Sequence, residues 1–288
     1  MIKIFALTAL ALTAFAFNSI LCRMALGRGE IDAASFTAIR LISGAVTLAI
    51  LLLAIDKKRS VAKPGNWISA FFLFAYAICF SFAYLRLTTA TGALILFGSV
   101  QLTMIVVAIA RGERPGRSEW LGLVVALSGL VYLVFPGLAS PPFTSALLMA
   151  AAGIAWGAYT LRGKGSTEPL ADTAGNFLRS VPLVAVTTLI FLPNIHLSNR
   201  GILLAVVSGS VASGIGYTVW YAALKYHTST RAAVLQLAVP LIAATGGVLF
   251  ISESADFRLL ISAGLILGGI AVALAKKGLN SEDHLPTE

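Results

Sequence analysis

At 288 residues, 58% hydrophobic and 11% charged with a mean hydropathy of +0.90, the chain cannot cover a soluble surface with polar groups and is read as an all-α membrane protein. Its net charge of +9 is, in such a chain, first a topology signal and no mark of a nucleic-acid partner. Its two cysteines, Cys22 and Cys79, provide no disulfide or metal framework, and the lack of a GxxxxGK loop or a soluble domain to hold one excludes ATP-driven transport.

A spanning helix needs roughly 20 apolar residues. Candidates lie at 3–21, 33–55, 67–85, 92–110, 118–135, 143–161, 173–192, 201–223, 232–251 and 257–275, which makes ten, five in each half. The first resembles a signal peptide, with Lys3 before an apolar run. It is read as retained, because it aligns with an internal helix and Leu21 is too large for lipoprotein-type cleavage before Cys22. Asn18 and Ser19 are costly in lipid, so they face a cavity or bond between helices. In the second span Arg40 lies about 10 Å from the outer end by the helical rise. It and Arg179 of the seventh span are read as interface anchors, with pairing to a substrate carboxylate as the alternative.

Trp67 and Trp120 open the third and fifth spans as interfacial belt residues. Tyr76, Phe80 and Tyr84, four residues apart, share one face of the third. The fourth carries Phe97, Ser99 and Gln101, and the ninth carries Gln236 and Pro240, so both interrupt their apolar runs at equivalent depth. Trp156 and Tyr159 lie well inside the sixth span. In the eighth, Tyr217 is central while Trp220 and Tyr221 read as belt residues. Pro182 permits a kink in the seventh. Glycines at 122, 129, 246, 247, 264, 268 and 269 allow close helix approach or a dimer face. The tail, 278–288, is polar and short.

The two halves repeat. AYLRLTTATGALILF, from Ala83 to Phe97, recurs as AALKYHTSTRAAVLQ, from Ala222 to Gln236, 139 positions later. The same shift lays Phe17 on Trp156, Arg23 on Arg162 and Arg40 on Arg179; by Glu113 and Gly129 it has become 140. The repeats are assigned to 1–138 and 143–277, followed by a cytoplasmic tail. With the N-terminus inside, fourteen Lys and Arg fall at cytoplasmic ends and loops, and only Arg23, Arg28, Arg86, Arg200 and Arg258 fall outside. Both termini are then cytoplasmic. An odd number of spans per half makes the duplication an inverted repeat.

All twelve acidic residues occupy loops, helix ends or the tail, and the three histidines are scattered. A membrane-embedded enzyme on a lipid-linked substrate lacks its acid/base pair, and a proton-coupled exporter of cationic drugs lacks its mid-membrane carboxylate. The stretch from Tyr84 through Thr91 to Ala93, with Glu113 and Pro115 after the fourth span and Glu253 after the ninth, resembles the drug/metabolite transporter superfamily, EamA-type repeat, over nearly the whole chain. Within it the chain is most similar to bacterial inner-membrane exporters of aromatic amino acids and of threonine or homoserine; other members move nucleotide sugars, triose phosphates and drugs. The resemblance implies alternating access around a central cavity.

Candidate substrate-binding residues are Asn18, Tyr76, Phe80, Ser99, Gln101, Trp156, Tyr159, Tyr217 and Gln236, on spans that pair between the repeats. Such a cavity is expected to be aromatic, with a few amides and hydroxyls and no fixed charge at its centre. It suits a neutral or zwitterionic ligand with a flat apolar side chain, Trp156 stacking and Gln101 and Gln236 orienting. Arg40 and Arg179 remain the candidates for charge pairing. No catalytic residue, metal or cofactor is expected; the partners are a small-molecule substrate and the bilayer, with the protein a monomer or homodimer.

Overall fold

The computed structural model describes residues 2–55, 65–87, 89–134, 142–251 and 257–274. Apart from one isolated bridge between Ile31 and Leu197, the regular structure described is helical. The helices are α1 (Ile2–Leu26), α2 (Ala33–Ile55), α3 (Trp67–Tyr84), α4 (Thr89–Ala110), α5 (Arg117–Val134), α6 (Phe143–Gly163), α7 (Pro169–Ile190), α8 (Asn199–Val207), α9 (Gly216–Leu224), α10 (Ser229–Gln236), α11 (Ala238–Ile251) and α12 (Phe257–Leu274). Among the described residues, helix makes up most of each stretch that hydropathy marked. Six segments among those residues are long and apolar enough to cross a bilayer: α1, α2, α3, α6, α7 and the run from Asn199 to Leu224. Shorter apolar helices cover Ile95–Ala110 and Leu260–Leu274.

Local chemistry sets the ends. Asn66, Ser198 and Thr228 cap α3, α8 and α10, each accepting a bond from a backbone N–H three residues on. The seventh span begins four residues earlier than predicted because Pro169 sits in its first turn, where the missing N–H has no intrahelical role. Pro182 lies within α7 without ending it.

The second half is less regular than the first. Between α8 and α9 the chain makes a π-helical segment, Ser208–Ile215. The predicted ninth span is two helices, α10 and α11, broken at Leu237 just ahead of Pro240, which has no N–H to donate to Gln236. Its counterpart α4 is continuous from Thr89 to Ala110. Both helices carry a buried amide, Gln101 and Gln236, but the backbone breaks on one side only, since Gln101, unlike Pro240, removes no backbone donor.

Packing joins the halves. α3 packs on α6 as α9 packs on α1, α4 packs on α6 as α11 packs on α1, α2 lies against α7, and α5 lies against α12. Interchanging the halves turns the first four of these pairings into one another and α2–α7 and α5–α12 each into itself. Small residues let the backbones close: a Cβ on Gly122 would strike the Gly269 carbonyl, and one on Gly153 would strike that of Leu96. Gly122, Gly129 and Gly269 thus serve packing within the chain, whereas Gly264 and Gly268 face open space. Large apolar side chains such as Leu102, Leu189, Leu203 and Leu260 point outward, as a lipid-facing surface requires.

Candidate substrate site

The site is built around Arg40. It is 1% exposed, with Nε donating to Ser213 Oγ at 2.9 Å and Nη2 donating to Tyr217 OH at 2.7 Å and Tyr76 OH at 3.4 Å. Its guanidinium carbon also lies 5.3 Å from the Tyr76 ring centre and 5.7 Å from that of Phe80. An arginine at the centre of a spanning helix costs about 2.5–3.5 kcal/mol on insertion scales. Hydrogen bonds to a charged group each contribute about 1.5–3 kcal/mol, so the two short ones offset that cost.

The π-helical segment supplies one of those acceptors, Ser213. In an α-helix residues five apart are turned by about 140°, whereas the i→i+5 repeat brings Ser208 and Ser213 to one face. Ser213 reaches Arg40, and Ser208 donates to Asn18 Oδ1. Asn18 Nδ2 in turn donates to Tyr76 OH at 3.4 Å. One polar network therefore links α1, α2, α3, the π segment and α9.

Beside it stands a box of rings. Trp156 lies 5.1 Å from Phe15, 5.0 Å from Tyr76 and 4.7 Å from Tyr217, and its Nε1 donates to Gln236 Oε1 at 2.7 Å. Phe15, Asn18, Ser19, Tyr76, Leu96, Phe97, Trp156 and Tyr217 enclose a cavity of about 20 Å³. That is room for a single water.

The structure brings Asn18, Tyr76, Trp156 and Tyr217 to the cavity wall, with Phe80 behind Tyr76 and Tyr159 behind Trp156. Gln236 is committed to Trp156, and its Nε2 meets Met104 Sδ at 3.2 Å. Gln101 lies between α4 and α10, donating to the Ala233 carbonyl at 2.6 Å, while its Oε1 is buried without a partner. Ser99 sits where α4 crosses α6.

The expectations for Arg40 and for Trp220 and Tyr221 are corrected. Arg40 does not snorkel to an interface; the network holds it inside, so the site does carry a fixed charge. Arg179, its repeat mate, stays outside the site on α7, bonding the Gly175 carbonyl at 3.0 Å. Trp220 and Tyr221 are 0% and 2% exposed and are no belt residues, since α9 turns them toward α1 and α6. Trp67 and Trp120, at 59% and 44%, keep the outward position expected of a belt. Ser208 and Ser213 were missed; the Ser/Gly-rich run from Ser208 to Gly216 is the signal that could have found them.

Side-chain clasps join loops at the ends of the bundle. Glu113 accepts from Lys164 Nζ at 3.0 Å, Ser229 Oγ at 2.7 Å and Ser229 N at 3.1 Å, at the N-terminus of α10. Burial pushes its carboxyl up, but bonds from Ser229 and Lys164 outweigh that and hold it at about 2. Arg231 pairs with Glu119 at 3.0 Å. A second clasp ties the α1–α2 turn to the α7–α8 loop: Asp32 accepts from Ser35 N and His196 N, and Glu30 accepts from Ser198 Oγ at 2.7 Å. Burial raises Asp32, yet the bonds from Ser35 and His196 leave it below the usual carboxylate range. A third joins Asp172 of α7 to Gly65 N at 3.1 Å. Each clasp links loops that the charge count assigned to the same side. Glu253, the repeat mate of Glu113, falls outside the described residues.

A lipid-facing helical bundle with a charged, aromatic-walled centre is a multi-pass membrane protein organised around an internal polar site. The EamA-like transporter family model matches it twice, over 2–135 and 143–275. The chain belongs to that family and is a membrane transporter. It is 48% identical to an uncharacterized protein of Pseudomonas aeruginosa, over 94% of each chain. It is 27% identical to an uncharacterized transporter of Archaeoglobus fulgidus, over 93% of this chain and 96% of that one, and 28% identical to the uncharacterized transporter YwfM of Bacillus subtilis, over 84% of each. A crystal structure 23% identical in sequence superposes with a TM-score of 0.79 over 94% of this chain and 97% of that one, which shows the shared fold.

Proposed function

We propose that the protein is a bacterial inner-membrane exporter of small metabolites, with aromatic or other large neutral amino acids as its substrate class. It works by alternating access without ATP. The observation that carries the reading is the ring box of Phe15, Tyr76, Trp156 and Tyr217 around an internal cavity, drawn from α1, α3, α6 and α9 of both halves. Ring stacking adds about 0.5–1.5 kcal/mol beyond area burial, which favours a flat apolar side chain. At about 20 Å³ the cavity is too small for any metabolite, so loading requires the helices around it to separate.

The exchange pattern of helix packing supports ten spans in two inverted five-helix repeats, with both termini cytoplasmic. In such a cycle the Glu113 and Asp32 clasps open in turn. The test is efflux from proteoliposomes loaded with a panel of amino acids. Trp156→Ala at equal protein level is expected to slow Phe and Trp transport by about two- to tenfold, while Trp67→Ala transports normally. If Trp156→Ala matches wild type and Trp67→Ala abolishes transport, the ring box is not the site. Transport confined to threonine or homoserine, a nucleotide sugar or a drug would replace the substrate class and leave the fold argument intact.

A further inference from the structure

Among the described residues Arg40 has no counter-ion: no carboxylate pairs with it, and its charge is met only by the hydroxyls of Ser213, Tyr217 and Tyr76 and by two ring faces. Its Nη1 is buried without a hydrogen-bond partner. A guanidinium stays protonated and presents its donors as a planar fork that matches a carboxylate. A buried cation that keeps part of that fork unused is incomplete until an anion arrives.

The cavity lies within one side chain of that charge, because Tyr76 and Tyr217, which hold the guanidinium, are also cavity walls. The 3.4 Å bond to Tyr76 is the longest of the three. Giving it up frees an Nη2 hydrogen beside the unused Nη1 group, and two parallel donors are what a carboxylate accepts. The remaining wall is neutral, with Asn18 and Ser19 as its polar members, and holds no acidic group for an ammonium.

We propose that Arg40 is the counter-ion for the substrate's carboxylate, and that the site selects one anionic group on a flat apolar body without requiring an amino group. Aromatic carboxylates that lack an ammonium, such as 2-oxo acids, are then ligands as good as the amino acids. This deepens the amino-acid reading above and rests on the ring box being the substrate site.

The experiment is a binding titration of purified protein, followed by tryptophan fluorescence and thermal shift. The ligands are phenylalanine, phenylpyruvate, phenylethylamine and phenylalaninamide, each in chloride and in a buffer without chloride. Phenylalanine and phenylpyruvate are expected to bind comparably, and the two compounds without a carboxylate at least about tenfold more weakly. Arg40→Gln is expected to abolish the difference, whereas Arg40→Lys keeps the preference with reduced affinity. Phenylethylamine binding as tightly as phenylpyruvate, or a carboxylate preference that survives in Arg40→Gln, overturns the proposal. So does a preference unaltered in Arg40→Gln but lost without chloride, which makes the inorganic ion the partner. If no aromatic compound binds, the aromatic reading alone fails. Leucine, 4-methyl-2-oxopentanoate, isoamylamine and leucinamide then decide the Arg40 assignment by the same comparison, and no binding in either series overturns both.

Discussion

Glu113 shows how one carboxylate can hold three parts of the chain. It joins the turn after α4, the loop after α6 and the start of α10 through Lys164 and Ser229. Its value falls from 4.5 to about 2 on folding, so its stabilisation is complete above pH 4.5, fades as pH falls and is gone below about 2. Glu113→Gln is therefore expected to lower the thermal midpoint in detergent at pH 7, by the equivalent of about 1–3 kcal/mol. The gap between variant and wild type should stay constant from pH 6 to 8. A gap that widens or closes across that range points to another titrating group, such as His227. Burial first, and then Arg231, hold that imidazole below its usual value. The clasp was half legible: the sequence singled out Glu113 by resemblance, but its partners Lys164 and Ser229 lie 51 and 116 positions away and share no pattern with it.

Among the elements, the pairing of α5 with α12 shows what small residues do. A side chain on Gly269 would meet the backbone at Gly122 and Ala126 within 2.6 Å, and backbone cannot swing aside as a flexible side chain can. Gly268, the adjacent residue, has nothing within 4 Å of where its Cβ would stand. Gly269→Val should destabilise the protein by about 1–3 kcal/mol or more, while Gly268→Val should melt with wild type. Loss in Gly268→Val with none in Gly269→Val would move the close contact to another face of α12, and equal loss in both would overturn it. Glycine content alone marked this helix as close-packing, and 3.6-residue periodicity leaves open which of three glycines faces inward. The π-helical turn at Ser208–Ile215 was less legible still. Hydropathy cannot distinguish an i→i+4 from an i→i+5 ladder, and the difference decides whether Ser213 reaches Arg40.

For the whole molecule the open quantity is orientation. The proposed topology places the α4–α5 turn on the cytoplasmic side and the α7–α8 loop outside, and both are exposed at Arg114 and Asn194. After both native cysteines are replaced, Arg114→Cys in intact cells should resist an impermeant thiol reagent, and Asn194→Cys should react. The opposite result reverses the membrane orientation, and labelling of both sinks the two-sided arrangement. Sequence alone determined the class, the helical segments and the duplication, because hydropathy and repeat spacing are properties of neighbouring residues and of whole halves. Only the tertiary structure decided the centre. Arg40 meets Ser213 and Tyr217 across separations of 173 and 177 residues, and Asn18 meets Ser208 across 190. No local pattern encodes such partners, and in their absence a lone arginine in an apolar helix reads as an anchor at the membrane surface. Helix rotation and packing turn it inward, and that makes the centre of the protein cationic.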